Sequence, residues 1–159
     1  MSLMNRRQKL IIRDFCTVLA LTLVALVAMI SFKNYVNRSE AIKAMREIAA
    51  FTSNYKASHG SIPSESIVES VRLETLGSVR LNSFRYRGPW IQIDSDPNEI
   101  LAYAKSKKGI FVPETLYITL DLCGNVTIIK EEEFLSKMNT QFTQAEKSLF
   151  PLKNNNQEP

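Results

Sequence analysis

An uncharged apolar run near the start of the chain constrains the fold more than any other feature. Residues 15–32 contain no charged residue, no proline and no glycine. At 1.5 Å rise per residue this run forms roughly 27 Å of helix, close to the ~30 Å hydrocarbon core of a bilayer. A helix in a soluble core rarely lacks a polar face over this length. The run therefore predicts one transmembrane helix over residues 15–32.

A cleaved signal peptide is the main alternative for this segment. The apolar run is longer than the apolar core of such a peptide, which has about 7–15 residues. Neither residues 28–30 nor residues 31–33 form the small-x-small pattern that signal peptidase cleaves. The sequence therefore favours an uncleaved signal anchor.

The basic residues around the span predict its orientation. Residues 1–14 form a basic N-terminus, in which four cations lie close to the membrane, whereas the cations after the span are spread out and diluted by acids. The positive-inside rule then predicts a single-pass protein of the inner (cytoplasmic) membrane. Its N-terminus lies on the cytoplasmic side, and the following domain lies in the periplasm or at the cell exterior. Since much of the net charge of +4 belongs to this membrane-adjacent cluster, we expect the lipid bilayer as a partner and no nucleic acid.

The pattern after the span is that of an amphipathic helix. Residues 33–58 hold no glycine or proline, and Gly60 and Pro63 supply the stop signals. We expect one rod from about residue 12 to residue 57, although a break near residues 37–39 stays open. The apolar stripe recurs at three- and four-residue steps and consists of Ala41, Ile42, Met45, Ile48, Ala49, Thr52 and Tyr55.

After this helix, several segments up to residue 138 alternate apolar and polar residues with a period of two, which predicts strands. The fold class expected is α+β, with a long N-terminal helix packed on a small antiparallel sheet. Residues 139–159 form a polar tail that we expect to be frayed or disordered. The expected elements are a helix over 64–76 capped by Ser64, strands over 79–81, 84–87, 90–93 and 100–104, a turn at 94–98, a basic loop at 105–109, a hairpin of 116–122 and 126–130, and an acidic helix over 131–138.

No residue is predicted to be catalytic, to bind a cofactor or to bind a metal. His59 is the only histidine and lies at a helix end, where a structural role is expected. Asp94 and Asp96 lie in a turn with Pro97, where turn chemistry is the first interpretation and metal binding the second. Cys16 and Cys123 are too far apart in the expected fold for a disulfide, and we expect Cys123 to be a buried small apolar residue.

The order of these segments resembles that of type IV pilin-like proteins, especially the pseudopilins of type II secretion. Residues 41–51 resemble the amphipathic pilin helix, and Tyr55 to Pro63 resembles the helix exit of major pseudopilins. Residues 117–134, with the Cys-Gly-Asn-Val turn, resemble the final hairpin of many pilin-like proteins. The resemblance spans most of residues 10–138 and implies a pilin-like head on an N-terminal helix.

Two positions depart from the family's processing and assembly motif. Asp14 stands where prepilins carry the glycine that precedes the cleavage point, and Leu19 stands where they carry a glutamate. The resemblance therefore implies an unprocessed, non-enzymatic anchor that acts through contacts with other membrane or pilin-like proteins. The alternative is an accessory subunit, or a ligand-binding sensor-like domain, of a larger membrane complex. Small residues along the span would allow close approach of a second helix; they are Thr17, Ala20, Thr22, Ala25, Ala28 and Ser31.

Overall fold

The computed structural model describes residues 6–108 and 114–149. One helix, α1, runs without interruption over Arg6–His59. It joins the apolar run to the amphipathic stripe, so no break occurs at residues 37–39. At 1.5 Å per residue its length is roughly 80 Å. The helix ends at Gly60, whose φ of 62° is a left-handed conformation that favours glycine.

The remaining elements form a head on the second half of α1. Helix α2 follows after Pro63, and Ser64 occupies its N-cap position without a side-chain capping hydrogen bond. The four strands pair in the order β1-β2-β3-β4, with every neighbouring pair antiparallel. The bounds are α2 Glu65–Glu74, β1 Arg85–Tyr86, β2 Ile100–Lys108, β3 Glu114–Asp121, β4 Val126–Lys130, α3 Glu131–Gln141 and α4 Gln144–Leu149, with short 3₁₀ helices at Ser78–Arg80 and Gly88–Trp90.

The α1 stripe covers one face of the sheet. Ala44, Met45 and Ile48 have no exposed surface and pack in one cluster with strand residues such as Ala102 and Ile118. The alanines of the stripe leave room for the sheet to lie close to the helix backbone. The chain is thus α+β, with a long apolar N-terminal helix and a four-stranded antiparallel sheet, as expected.

Helix α3 covers the opposite face, which the sequence analysis did not foresee. Phe134 and Met138 of α3 pack with Tyr103 and Tyr117, and the rings of Tyr117 and Phe134 stack with centroids 3.9 Å apart. Because successive strand residues point to opposite faces, Tyr117 and Ile118 belong to different clusters. The head therefore has three layers, with a core on each side of the sheet.

The predicted strands between residues 79 and 93 are mostly wrong. Residues 78–80 and 88–90 are 3₁₀ turns, and only Arg85–Tyr86 forms a strand. Pro89 lacks an N–H group for a ladder, and Ser83 has a φ of 52°, which interrupts an extended chain. Alternation of apolar and polar residues thus marked the burial of Leu81, which lies outside any strand, and of Tyr86, which lies in the two-residue strand β1.

Three further expectations are corrected. Residues 105–108 are not a loop, because β2 continues to Lys108 opposite Glu114; Gly109 lies outside the described residues. The tail is not frayed from residue 139 as far as residue 149, because α3 reaches Gln141 and α4 follows; residues 150–159 lie outside the described residues. Cys123 is exposed, not buried, because it lies in the hairpin turn. The hairpin itself, the turn at 94–98 and helix α3 are confirmed.

Candidate functional site

The first half of α1 presents an apolar surface to its surroundings. Its most apolar 18-residue window has a mean hydropathy of 2.5 and none of it is buried. The hydroxyl groups of Thr17 and Thr22 donate to the carbonyl oxygens of Arg13 and Val18, at 2.9 Å each. These polar groups are therefore satisfied within the helix, as an apolar solvent requires. The helix is long and apolar enough to span a membrane.

A polar cleft of about 830 Å³ lies at the far end of the head, beside the β3–β4 turn. Its polar groups mainly bind one another. The Asp121 carboxylate accepts from the Asn125 backbone N–H at 2.8 Å and from its side-chain amide at 3.0 Å. Thr119 and Thr127 share a hydrogen bond of 2.9 Å between their hydroxyl groups. The described lining of the cleft contains no histidine or cysteine.

His59 does not line this cleft. Its Nδ1 lies 2.8 Å from the Ser58 hydroxyl and 3.2 Å from the Tyr55 carbonyl oxygen. Its ring stacks on that of Tyr55, with centroids 4.1 Å apart. These contacts complete the last turn of α1 and give His59 the structural environment that the sequence predicted.

Asp96 of the acidic turn also has a local partner. The Asp96 carboxylate accepts from the backbone N–H and the side-chain amide of Asn98, at 2.8 and 3.2 Å. This arrangement is an Asx turn. Among residues 6–108 and 114–149, no group of three or more histidine, cysteine, aspartate or glutamate side chains is placed to hold a metal ion.

Arg87 is the centre of a buried ionic cluster that the sequence analysis missed. Arg87 and Glu146 are both 0% exposed. The Arg87 guanidinium donates to the Glu146 carboxylate at 2.7 and 3.2 Å and to Glu99 at 3.2 Å. It also donates to the carbonyl oxygens of Ile100 and Gln141. These bonds hold the loop after β1 to α3 and α4. No described polar side-chain atom of the cluster is buried without a hydrogen-bond partner.

Glu146 is charged in this environment. Burial acts to raise its pKa, but hydrogen bonds from Arg87 and Thr143 outweigh burial and hold the pKa below its ordinary value. Thr143 and Glu146 also form a capping box at the start of α4, since the Glu146 N–H donates to the Thr143 hydroxyl at 3.2 Å and the Thr143 N–H donates to the Glu146 carboxylate at 2.9 Å. The Thr-x-x-Glu spacing of Thr143 and Glu146 is the sequence signal from which this capping box could have been predicted.

The buried tyrosines of the second core are not proton acceptors. Burial raises the pKa of Tyr117 to about 12, and burial likewise raises the pKa of Tyr103. Both phenols therefore stay protonated at neutral pH. Their rings pack against Phe134, which is a core role.

Comparisons of the chain with protein-family models, with curated proteins and with solved structures find no match.

Proposed function

We propose that this chain is a membrane-anchored, pilin-like structural or assembly protein, related to the pseudopilins of type II secretion. It acts through protein–protein contacts in the inner (cytoplasmic) membrane, with its N-terminus inside. The observation that carries the proposal is the continuity of α1, whose first half is exposed and apolar and whose second half is the spine of the head. One helix that is both anchor and core element is the plan that the resemblance implies.

Two surfaces of the described chain suit contacts with protein partners. The small residues of the span allow a second helix to approach closely. In the head, β4 lies at an edge of the sheet, and Ile128 on this strand is 42% exposed. A strand edge offers backbone N–H and C=O groups to a further strand. We infer no reaction for this chain, and its role is contact rather than catalysis.

Cleavage by a prepilin peptidase distinguishes a fibre subunit, which is cleaved, from an anchor, which is not. Asp14 is exposed and paired with Arg13 at 3.3 Å, so a charged side chain precedes Phe15 where the family has glycine. Such a side chain should block a prepilin peptidase. Without a glutamate at position 19, a subunit also lacks the charge that the family pairs with a neighbour's N-terminus. The proposed protein therefore stays in the membrane.

N-terminal sequencing of the protein purified from membranes tests this proposal. We expect an N-terminus upstream of Phe15 in the unaltered chain. A matched variant, Asp14→Gly with Leu19→Glu, restores the two motif positions and should be cleaved before Phe15 by a co-expressed prepilin peptidase. Cleavage of the unaltered chain at Phe15 would contradict the anchor role, and resistance of the variant would contradict the pilin-like resemblance.

The cleft beside the β3–β4 turn favours one alternative, a ligand-binding or accessory subunit of a larger membrane complex. Its volume of about 830 Å³ lies in the range of small-molecule sites. Shear fractionation tests whether the chain is a fibre subunit. A fibre subunit would appear in sheared material when its partners are present, whereas the proposed anchor and an accessory subunit should both remain in the detergent-solubilised membrane fraction.

A further inference from the structure

The membrane-facing end of the head carries exposed apolar side chains. Leu76 is 83% exposed and Val79 is 84% exposed, although both belong to a packed head. The turn that holds them is fixed to α1, because the Arg80 guanidinium lies 3.1 Å from the Glu40 carboxylate and Gly77 packs against the Glu40 backbone. Two large apolar side chains held outside the core in this way suit an apolar neighbour better than water.

A basic groove of about 490 Å³ lies beside this turn. Its lining includes the amides Asn34 and Asn37 of α1 and the backbone turn at Val79. Three cationic side chains, Arg38, Arg80 and Lys105, line it together, against one carboxylate at Glu40. The groove therefore carries excess positive charge and several N–H donors, which is the chemistry that recognises phosphate oxygens.

The position of this groove along α1 identifies its occupant. Asn34 and Arg38 follow the apolar run by two and six residues, and Glu40, which holds the turn, follows it by eight, so the groove and the turn lie roughly 3–12 Å beyond the end of the span at 1.5 Å per residue. The headgroup zone extends about 5–8 Å on each side of the hydrocarbon core. The groove therefore overlaps the headgroup zone in depth.

We propose that the head docks on the bilayer through this surface, with Leu76 and Val79 inserted at the interface and Arg38, Arg80 and Lys105 bound to anionic lipid headgroups. The partner is the membrane itself and not a second protein. The docking rests on the anchor part of the proposed function. It adds a second, peripheral attachment that holds the head at a fixed angle to the membrane.

Depth-dependent quenching of tryptophan by brominated lipid tests the docking in the full chain. Trp90 is the only tryptophan, so a Trp90→Phe background accepts one reporter at a time. Reporters at Leu23 in the span, at Val79 in the turn and at Ile93 are compared in liposomes. Ile93 is an exposed apolar control that lies with Lys56 at the far end of the head.

We expect quenching of the Leu23→Trp and Val79→Trp reporters, whose side chains would contact the lipid, and none for Ile93→Trp. Quenching at position 23 without quenching at position 79 would overturn the docking and leave the anchor intact. Absence of quenching at position 23 would overturn the anchor itself. A Leu76→Trp reporter gives an independent second reading of the same turn.

A second experiment varies the charge of the lipid. Phosphatidylglycerol added to phosphatidylcholine should increase quenching at position 79. Replacing Arg38, Arg80 and Lys105 by glutamine should abolish that increase, whereas replacing Lys43, Arg46 and Lys137 by glutamine should preserve it. An increase that survives the first triple substitution would contradict headgroup binding by the groove.

Discussion

Arg87 shows how a single residue holds the head together. Its side chain comes from the loop after β1, and its partners lie in the loop before β2, at the end of α3 and in α4. The guanidinium also lies over the Phe142 ring, 3.8 Å from its centroid. A buried charge of this kind is stable only while its partners remain, because desolvation of an unpaired ion is costly.

Replacing Arg87 by methionine should therefore destabilise the protein strongly. The substitution leaves Glu146 buried without its cation, which costs about 3–5 kcal/mol in comparable pairs. Denaturant unfolding of the detergent-solubilised chain measures the change. Arg46→Met, at an exposed position of α1, is the matched control and should change the free energy of unfolding by less than about 0.5 kcal/mol. Equal effects of the two substitutions would contradict the role of the cluster.

Glu146 makes the stability of the head depend on pH. Its pKa in the folded protein is held below the value of an unfolded glutamate, about 4.3. Its contribution is therefore complete above about pH 4.3 and is lost as the pH falls through the folded-state pKa. Glu146→Gln should lower the free energy of unfolding at pH 7, and the difference from the unaltered protein should shrink progressively in more acidic solution. A difference that is constant from pH 7 to pH 3 would show that folding does not lower the pKa of Glu146.

For the helices and strands, the sequence predictions were correct where the determining interactions join residues close in the sequence. They failed where those interactions join distant residues. The β3–β4 hairpin and the end of α1 were predictable because their signals lie within a few residues, as with Gly60 and Gly124 at positive φ. The packing of α3 on the second face of the sheet was not predictable from the sequence, because it depends on contacts between distant strands and helices. The burial of Arg87 depends on a partner 59 residues away, so no local pattern in the sequence predicted it.

The hairpin turn gives a prediction at this scale. Gly124 has a φ of 92°, and a Cβ placed there would lie 2.7 Å from the Ser53 hydroxyl oxygen of α1. Gly124→Ala should cost at least about 1–2 kcal/mol from the backbone conformation, with a further cost from this contact. Gly60→Ala is the control, since Gly60 also has a positive φ but has open space around it.

The contact part of that cost can be isolated. Adding Ser53→Ala should recover some of the stability lost in Gly124→Ala and should leave Gly60→Ala unchanged, as measured by denaturant unfolding. Equal losses in the two glycine variants, with no effect of Ser53→Ala, would show that the turn does not press on α1.

For the whole molecule, the two cysteines report orientation. Cys123 is exposed in the head and Cys16 lies in the apolar run. A membrane-impermeant maleimide added to spheroplasts that express the chain should label Cys123 if the head is outside, and Cys16 should stay unlabelled in lipid. Cys123→Ser should lose the labelling and Cys16→Ser should keep it. Labelling of Cys123 only after lysis of the spheroplasts would reverse the proposed orientation.

The uninterrupted course of α1 has a mechanical consequence. A helix without a break passes bending and rotation of its exposed apolar half directly to the head. Transmembrane helices tilt by about 20° on average, and over the roughly 40 Å of α1 above the span such a tilt moves the far end sideways by about 14 Å. The tilt of the span and the position of the hairpin end are thus coupled through α1, and the proposed docking of the head would hold both at one angle.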